Sequence, residues 1–437
     1  MDLWFIDNIV LFVRENLDAG MQSVSVPSYF LENQTISGKV ANEGIETITS
    51  FDVNWNLNGE EINTTSYSGL SLETSQTYNF TSDQELVAVP GSHDFKIWVS
   101  NVNGGIDQNP LNDTINKTVG VATQSLQRSP FFESFTSSTC GPCTGFNNSV
   151  MNPFIEQHGE EITLIKYQMN WPGSGDPYYT PEGGVRRTYY GVNAVPMLYV
   201  EGKNVSTSAG AVNNAFNNGM ADPAFVAIEG LHTIDGNVIT VEADIHPYVN
   251  LYDVTVHIVV IERLTTGNVG SNGETEFHHV MMKMLPDAHG TTMDLPAGIS
   301  TILTYSHDMS STFVEEMDDL MVAIFVQDNN TKGIFQAAYT EEAAGFPASV
   351  MFDPLPGSTG VETFADVIIT LSEPVSMVGG AEITDANAAS LITFTETEGD
   401  AFPFTATIND DKTVITVSPE GLMDSYTSYT VLLDPVE

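Results

Sequence analysis

Phe131-Phe132-Glu133-Ser134-Phe135-Thr136-Ser137-Ser138-Thr139-Cys140-Gly141-Pro142-Cys143 contains the only two cysteines of this 437-residue chain. The apolar run 131–135 has β character and ends in a short polar turn. Two cysteines then stand two residues apart, a spacing that closes a small disulfide. A helix starting at Cys140 would turn its free N–H groups and its dipole towards the sulfur and stabilise a thiolate there. Zinc sites use the same spacing but need two further ligands, and there is no second cysteine pair. A strand running into Cys-x-x-Cys therefore decides how the surrounding chain is read, and its first functional expectation is redox chemistry.

Downstream, Phe146, Val150, Phe154 and Ile155 lie on one side of an expected helix, kinked at Pro153. Ile162 to Tyr167 reads as a strand of the kind buried in a parallel sheet. Trp171 to Gly191, rich in Pro, Gly and Tyr, reads as an insertion. Val192 to Val200 is a further strand, Gly202 opens a hairpin turn, and a small-residue helix runs over 209–220. The order is β-α-β followed by β-β-α, within one unit over 123–222.

The rest of the chain reads as β. Residues 1–20 are expected to be one terminal strand and a linker; Phe5 to Val13 resembles the closing strand of a jelly-roll module that would lie upstream. Over 21–122 short alternating runs are separated by turn signals such as Asn58-Gly59 and Pro90-Gly91, which predicts a sandwich of about 100 residues. Residues 223–343 predict a second β-sandwich. Residues 344–437 alternate strands and turns again and are expected to be a truncated immunoglobulin-like domain. The expected fold class is multi-domain and mainly β, with immunoglobulin-like sandwiches flanking one α/β domain.

Composition bounds the partners. With 57 acidic against 13 basic residues the formal net charge is −44, which repels nucleic acid and anionic membranes. The acids are spread along the chain, as expected for solubility in a salty medium. No span of 18 apolar residues is present. Thr-, Ser- and Asn-rich strands, few lysines and almost no cysteine point to an extracellular or cell-surface location, with the export signal outside this fragment. Asn-x-Ser/Thr triplets such as Asn63 and Asn79 read as chance in so Asn-rich a chain. The Asp/Asn-rich turns Asp107 to Asp113 and Asn409-Asp410-Asp411 lack the twelve-residue Ca²⁺ loop pattern and read as ordinary turns. His278 and His279 are adjacent and would point to opposite faces of a strand. With Met281, Met282 and Met284 beside them they read as packing, so no metal site is expected.

Taken together, Cys140-Gly141-Pro142-Cys143 and Gly191-Val192-Asn193-Ala194-Val195-Pro196 resemble the two motifs of the thioredoxin superfamily. The resemblance implies a thioredoxin-like domain over 123–222, a cis Pro196 facing the cysteines, and a Val195 backbone available to an extended peptide. Over 123–343 the chain is similar to bacterial outer-membrane and secreted proteins that join a thioredoxin-like half to a β-sandwich half. Residues 21–122, with Asn112-Asp113-Thr114 before the last strand, resemble adhesion-type immunoglobulin-like modules. Residues 344–437, with Ser372-Glu373-Pro374-Val375, resemble immunoglobulin-like modules of bacterial surface proteins. One departure is plain: thioredoxins carry a buried acid at the position of Ser134 and an aromatic residue at that of Thr139. Glu133 is adjacent but faces the other way.

The resemblance implies a thiol–disulfide oxidoreductase acting on extracytoplasmic protein thiols and disulfides. Cys140 would attack, Cys143 resolve and Pro196 complete the catalytic set, with Gly141, Pro142 and Val195 contacting substrate. It would use no cofactor beyond the Cys140–Cys143 disulfide. The alternative is a non-enzymatic surface adhesion or binding protein in which that disulfide is structural. Arg186 and Arg187 would either raise the potential near Cys140 or form a solvated helix face.

Overall fold

Period-two alternation of apolar residues sets the first strands. They are β1 (Ala19–Val24), β2 (Tyr29–Phe30), β3 (Gln34–Asn42), β4 (Ile48–Leu57), β5 (Asn63–Leu72), β6 (Thr77–Leu86), β7 (Gly91–Ser100) and β8 (Thr114–Val121). They form two sheets, β1-β3-β6 and β2-β8-β7-β4-β5. Ile36, Val40, Phe51, Trp55, Phe80, Phe95 and Ile97 fill the space between them. Asn58 and Gly59 both take positive φ, 52° and 73°, and make the tight turn after β4.

The computed structural model describes residues 13–343, 350–355, 357–396 and 400–436. The chain divides into two compact units, Met1–Ala343 and Ala344–Glu437. Most of the strand expected at Phe5 to Val13 lies outside the described residues; Val13 to Asp18 are irregular.

The next stretch supplies β9 (Phe131–Thr136), α1 (Gly141–Phe146), α2 (Asn152–His158), β10 (Thr163–Gln168), α3 (Pro181–Tyr190), β11 (Met197–Val200), β12 (Lys203–Val205) and α4 (Ala209–Ala221). Two sequence expectations need correction. The helix after Cys143 is not kinked by Pro153 alone: a π-helical turn over Asn147–Met151 joins α1 to α2 within one helical run, and Pro153, with no N–H to give the preceding turn, stands directly after it. The segment read as an insertion contains α3, capped by the Thr180 hydroxyl and stopped by Gly191 at φ 69°.

After these come β13 (Val226–Asp235), β14 (Val238–Pro247), β15 (Leu251–Thr265), β16 (Phe277–Leu285), β17 (Thr291–Leu295), β18 (Thr301–Asp308), β19 (Leu320–Asp328), β20 (Ile334–Tyr339) and β21 (Glu341–Glu342). Residues 123–222 and 223–343, expected as separate domains, share one sheet. Its order is β12-β11-β9-β10-β16-β15-β19-β20, with β17 on β15. The join is a parallel pairing of β10 with β16 centred on Lys166 and Val280. The pattern within either region carries no signal for it, because the pairing strands are far apart in sequence.

One face of this sheet is covered by α1, α2 and α4 at one end, through Phe132, Leu164, Leu198, Phe146, Phe154 and Phe216. At the other end it is covered by the sheet β18-β14-β13-β21, through Ile239, Val241, Val256, Ile258 and Ile324. The opposite face holds Phe131, Phe135, Ile165, Tyr167 and Phe325, with Tyr190 of α3 packed on them. The second unit is a small sandwich of β22 (Val350–Asp353), β23 (Val367–Leu371), β26 (Val414–Pro419) and β25 (Phe404–Ile408) against β24 (Ile392–Glu396) and β27 (Tyr429–Leu433). Ile369, Phe394, Ile415 and Val417 are at its centre.

Candidate functional site

Every side chain of β9 is buried. The strand ends at Thr136, and Ser137-Ser138-Thr139 turn the chain into α1. Cys140 is the N-cap: its backbone is extended and its Sγ accepts the Cys143 N–H at 3.1 Å. Cys140 and Cys143 are joined in a disulfide, with Cα atoms 5.2 Å apart. The Val195–Pro196 peptide is cis, and the Val195 carbonyl oxygen stands 3.5 Å from Cys140 Sγ. A disulfide sulfur carries no proton, so this contact becomes a hydrogen bond only when Cys140 is a thiol. Cys140, Cys143, Val195 and Pro196 therefore sit together. Gly141 and Pro142 form the exposed lip of the pair.

The sulfurs themselves are shut in: Cys140 is 1 % exposed and Cys143 0 %. The cover comes from the loop between β15 and β16. The Asn272 amide donates to the Ser137 and Cys140 carbonyls at 3.2 and 3.3 Å. Asn272 N–H donates to the Ser138 carbonyl, and the Thr144 hydroxyl to the Asn272 carbonyl, both at 3.0 Å. Gly270 passes so close to Ser138 that a Cβ there would meet its carbonyl oxygen at 2.4 Å. From the other side Asp176 accepts the Ser138 N–H at 2.8 Å, and the Thr139 hydroxyl donates to the Pro172 carbonyl at 2.6 Å. The sequence carried no sign of this strap beyond its glycines, because its partners are about 130 residues away.

Glu133 and Ser134 point to opposite faces. Glu133 receives Arg186 Nε and Nη2 at 3.0 and 2.7 Å, together with the Tyr167 and Tyr190 hydroxyls. Arg186 is 2 % exposed, also holds Gln327, and stacks on Tyr189, Tyr190 and Phe325. Arg186 is not the solvated cation of the second expectation: it is buried and its charge is paired with Glu133. Arg187 lies 4.3 Å over the Trp171 ring and donates to the Val192 carbonyl.

On the helix-covered face, Thr136, Asn147, Asn152, Lys166, Gln168, Glu274 and His278 line a small polar pocket. Burial lowers the Lys166 ammonium to about 8, and Glu274 partly opposes the shift. Among the described residues its ammonium makes one hydrogen bond, a long one of 3.4 Å to Asn152. Asn147 donates to Glu274 at 2.8 Å. Ser134 Oγ, Asn147 Oδ1 and both polar atoms of Gln168 have no partner among the described residues. A carboxylate does reach this face, but it is Glu274 from the second half of the unit, not a residue of β9.

His278 lines this pocket. Burial lowers the neighbouring His279 to about 3, and its φ is 57°. His307 is on β18, in the other sheet. Among the described residues no three His, Cys, Asp or Glu side chains converge at metal-ligand distance, and no helix is long and apolar enough to cross a membrane.

No protein-family model matches the chain, and no curated protein matches it. Several solved structures are similar to parts of it. A domain of the outer membrane lipoprotein Omp28 from Porphyromonas gingivalis is 15 % identical, over 28 % of this chain and 92 % of that one, with a TM-score of 0.21. A domain of a putative cell surface protein from Methanosarcina acetivorans is 22 % identical, over 25 % and 95 %, also at 0.21. The CARDB domain of a Pyrococcus furiosus protein, solved in complex with di-metal ions, is 18 % identical, over 28 % and 99 %, at 0.19. Likenesses at this level carry nothing about this chain's activity or ligands.

Proposed function

We propose that this is an extracytoplasmic, surface-type or secreted protein in which residues 123–222 are a thioredoxin-like unit serving as a scaffold, with Cys140–Cys143 as a static disulfide. The thioredoxin-like reading is supported by strand order. The strand leading into the cysteines lies between a parallel neighbour, β10, and an antiparallel one, β11, which starts at the cis Pro196. The observation that carries the scaffold reading is the closure of the pair. An incoming thiolate must reach a sulfur of the disulfide to begin exchange, and both cysteines are buried, in a turn whose Ser137 and Cys140 carbonyls are held by Asn272.

The second reading is thiol–disulfide exchange with extracytoplasmic proteins. It is favoured by the Cys140 position: a helix N-cap whose sulfur already receives an N–H is a place where a thiolate is stabilised. In that reading the Cys140 thiolate displaces one sulfur of a substrate disulfide. Cys143 then displaces the substrate's other sulfur as a thiolate and restores the Cys140–Cys143 bond.

Thiol trapping of the full chain across a redox-buffer series separates the two. The scaffold reading expects the pair to stay oxidised until the buffer is below about −300 mV, and no disulfide-reductase activity above that of Cys140→Ser. Reduction near −270 to −180 mV, with Cys140 alkylated before Cys143 and activity lost in Cys140→Ser, would overturn it in favour of exchange.

A further inference from the structure

The strap over the cysteines hangs on one side chain. The Asn272 amide donates to the Ser137 and Cys140 carbonyls and to Glu274 Oε2, while its Oδ1 accepts the Glu274 N–H at 2.9 Å. The next residue is Gly273, exposed and at φ 90°. Asn-Gly is the dipeptide in which an asparagine most readily loses its amide, because no β-carbon crowds the glycine nitrogen as it approaches the side chain. The bond from the Glu274 N–H closes an Asx turn whose ring contains the Gly273 nitrogen. It also sets a donor on the oxygen that turns anionic when that nitrogen attacks Cγ. Glu274 is 5 % exposed, and its carboxylate lies on the nitrogen that would leave. Among the described residues the Gly273 N–H makes no hydrogen bond, so the nucleophile is free. The other three Asn-Gly pairs of the sequence lack this set. Asn58 Oδ1 accepts the Asp94 N–H, Asn103 Oδ1 accepts the Thr49 and Ser50 N–H groups, and Asn218-Gly219 lies inside α4.

We propose that Asn272-Gly273 is a self-processing site: the Gly273 nitrogen attacks Asn272 Cγ, ammonia departs, and the succinimide so formed is opened by water to aspartate or isoaspartate. The bond from Cγ to Gly273 forms as the bond from Cγ to Nδ2 breaks. The proton that Gly273 gives up balances the one that the departing nitrogen takes, and Glu274 Oε2 is the group placed to pass it. The product cannot donate to the Ser137 and Cys140 carbonyls, and it sets a second carboxylate against the buried one of Glu274. The strap is thereby released, and the disulfide is uncovered without itself being cleaved. The covered state of the cysteines then has a lifetime that the fold itself sets. This holds whether the disulfide is a static scaffold element or an exchanging one.

The test is incubation of the folded full-length protein at neutral pH, with the four Asn-Gly sites followed by peptide mass spectrometry and isoaspartate detection. Asn272 should convert first, on the order of tenfold or more ahead of Asn58, Asn103 and Asn218, and the four should draw level in denaturant. Glu274→Gln should slow conversion at Asn272 by a similar factor and leave Asn58 unchanged. Asn272→Asp, which carries the end product from the start, should have its disulfide reduced by dithiothreitol at least as fast as Asn272→Ala. Asn272 outlasting Asn58 or Asn103 in the folded protein would overturn the proposal, and so would a lead that persists in denaturant. Conversion of Glu274→Gln at the parent's rate, or a disulfide in Asn272→Asp reduced no faster than the parent's, would do the same.

Discussion

Glu133 and Ser134 are neighbours on one strand and belong to two different interiors. On the Glu133 face the charged network is matched, carboxylate to guanidinium, guanidinium to amide and two phenols to the carboxylate, while the Tyr189 hydroxyl and His257 Nδ1 at its margin have no partner among the described residues. On the Ser134 face, behind the cysteines, a serine hydroxyl and a whole glutamine amide are left over, and a lysine hangs on one long hydrogen bond. Buried polar groups that are fully paired hold a core in one arrangement, whereas unpaired ones cost stability. The Glu133 network is therefore architecture. The Ser134 face is a liability that the fold tolerates directly behind its disulfide.

Removing Glu133 should have the largest effect. Glu133→Ala leaves the Arg186 guanidinium buried without its counter-charge, and denaturant unfolding should show a loss of about 3–5 kcal/mol. Glu133→Ala combined with Arg186→Met should recover a good part of that loss. If the double variant is no better than the single, the network is not a charge pair and the contrast between the faces fails.

Lys166→Met should go the other way, stabilising the protein by roughly 1–3 kcal/mol at pH 7. The folded pKa is lowered, from 10.5 to about 8, so burying the ammonium costs stability below about pH 8. That cost fades as the pH climbs towards 10.5, because the folded protein gives up the proton first. The advantage of Lys166→Met over the parent should shrink across the same window, read by unfolding at stepped pH. A destabilised Lys166→Met would mean that the pocket is as well matched as the Glu133 network.

The smallest effect is expected at the edge of the polar pocket. Asn272→Ala removes the two hydrogen bonds to the Ser137 and Cys140 carbonyls, worth about 1 kcal/mol each, and two within the loop to Glu274. Dithiothreitol should then reduce the disulfide roughly 5–30 times faster, and denaturant unfolding should show a loss of no more than about 2 kcal/mol. An unchanged rate would mean that something other than Asn272 keeps the sulfurs closed.

The strand, the turn and the helix start were legible because each is written in contiguous residues, an apolar run and Cys-Gly-Pro-Cys, whereas the cis Pro196 came only through the resemblance of Val195-Pro196 to the second thioredoxin motif. The opposition of Glu133 and Ser134 followed from strand geometry alone. What escaped is non-local. Helix α3 was hidden by Pro181, Gly183 and Gly184, which read as loop until Thr180 is seen to cap it and Arg186 to find Glu133. The strap was a glycine-rich turn until Asn272 met Cys140. Lys166 looked like one polar residue in an apolar strand, and only the pairing with β16 shows that it is walled in.

That pairing also decides where the molecule can be divided. Residue 222 is not a seam. A piece ending there would present the outer edge of β10, its amides and carbonyls unpaired, to any strand that came by. It would also lose the loop that closes over the cysteines. The shortest excerpt that keeps the disulfide in its native surroundings runs on through β20, and a potential measured on the hundred residues around Cys140 would describe a different object.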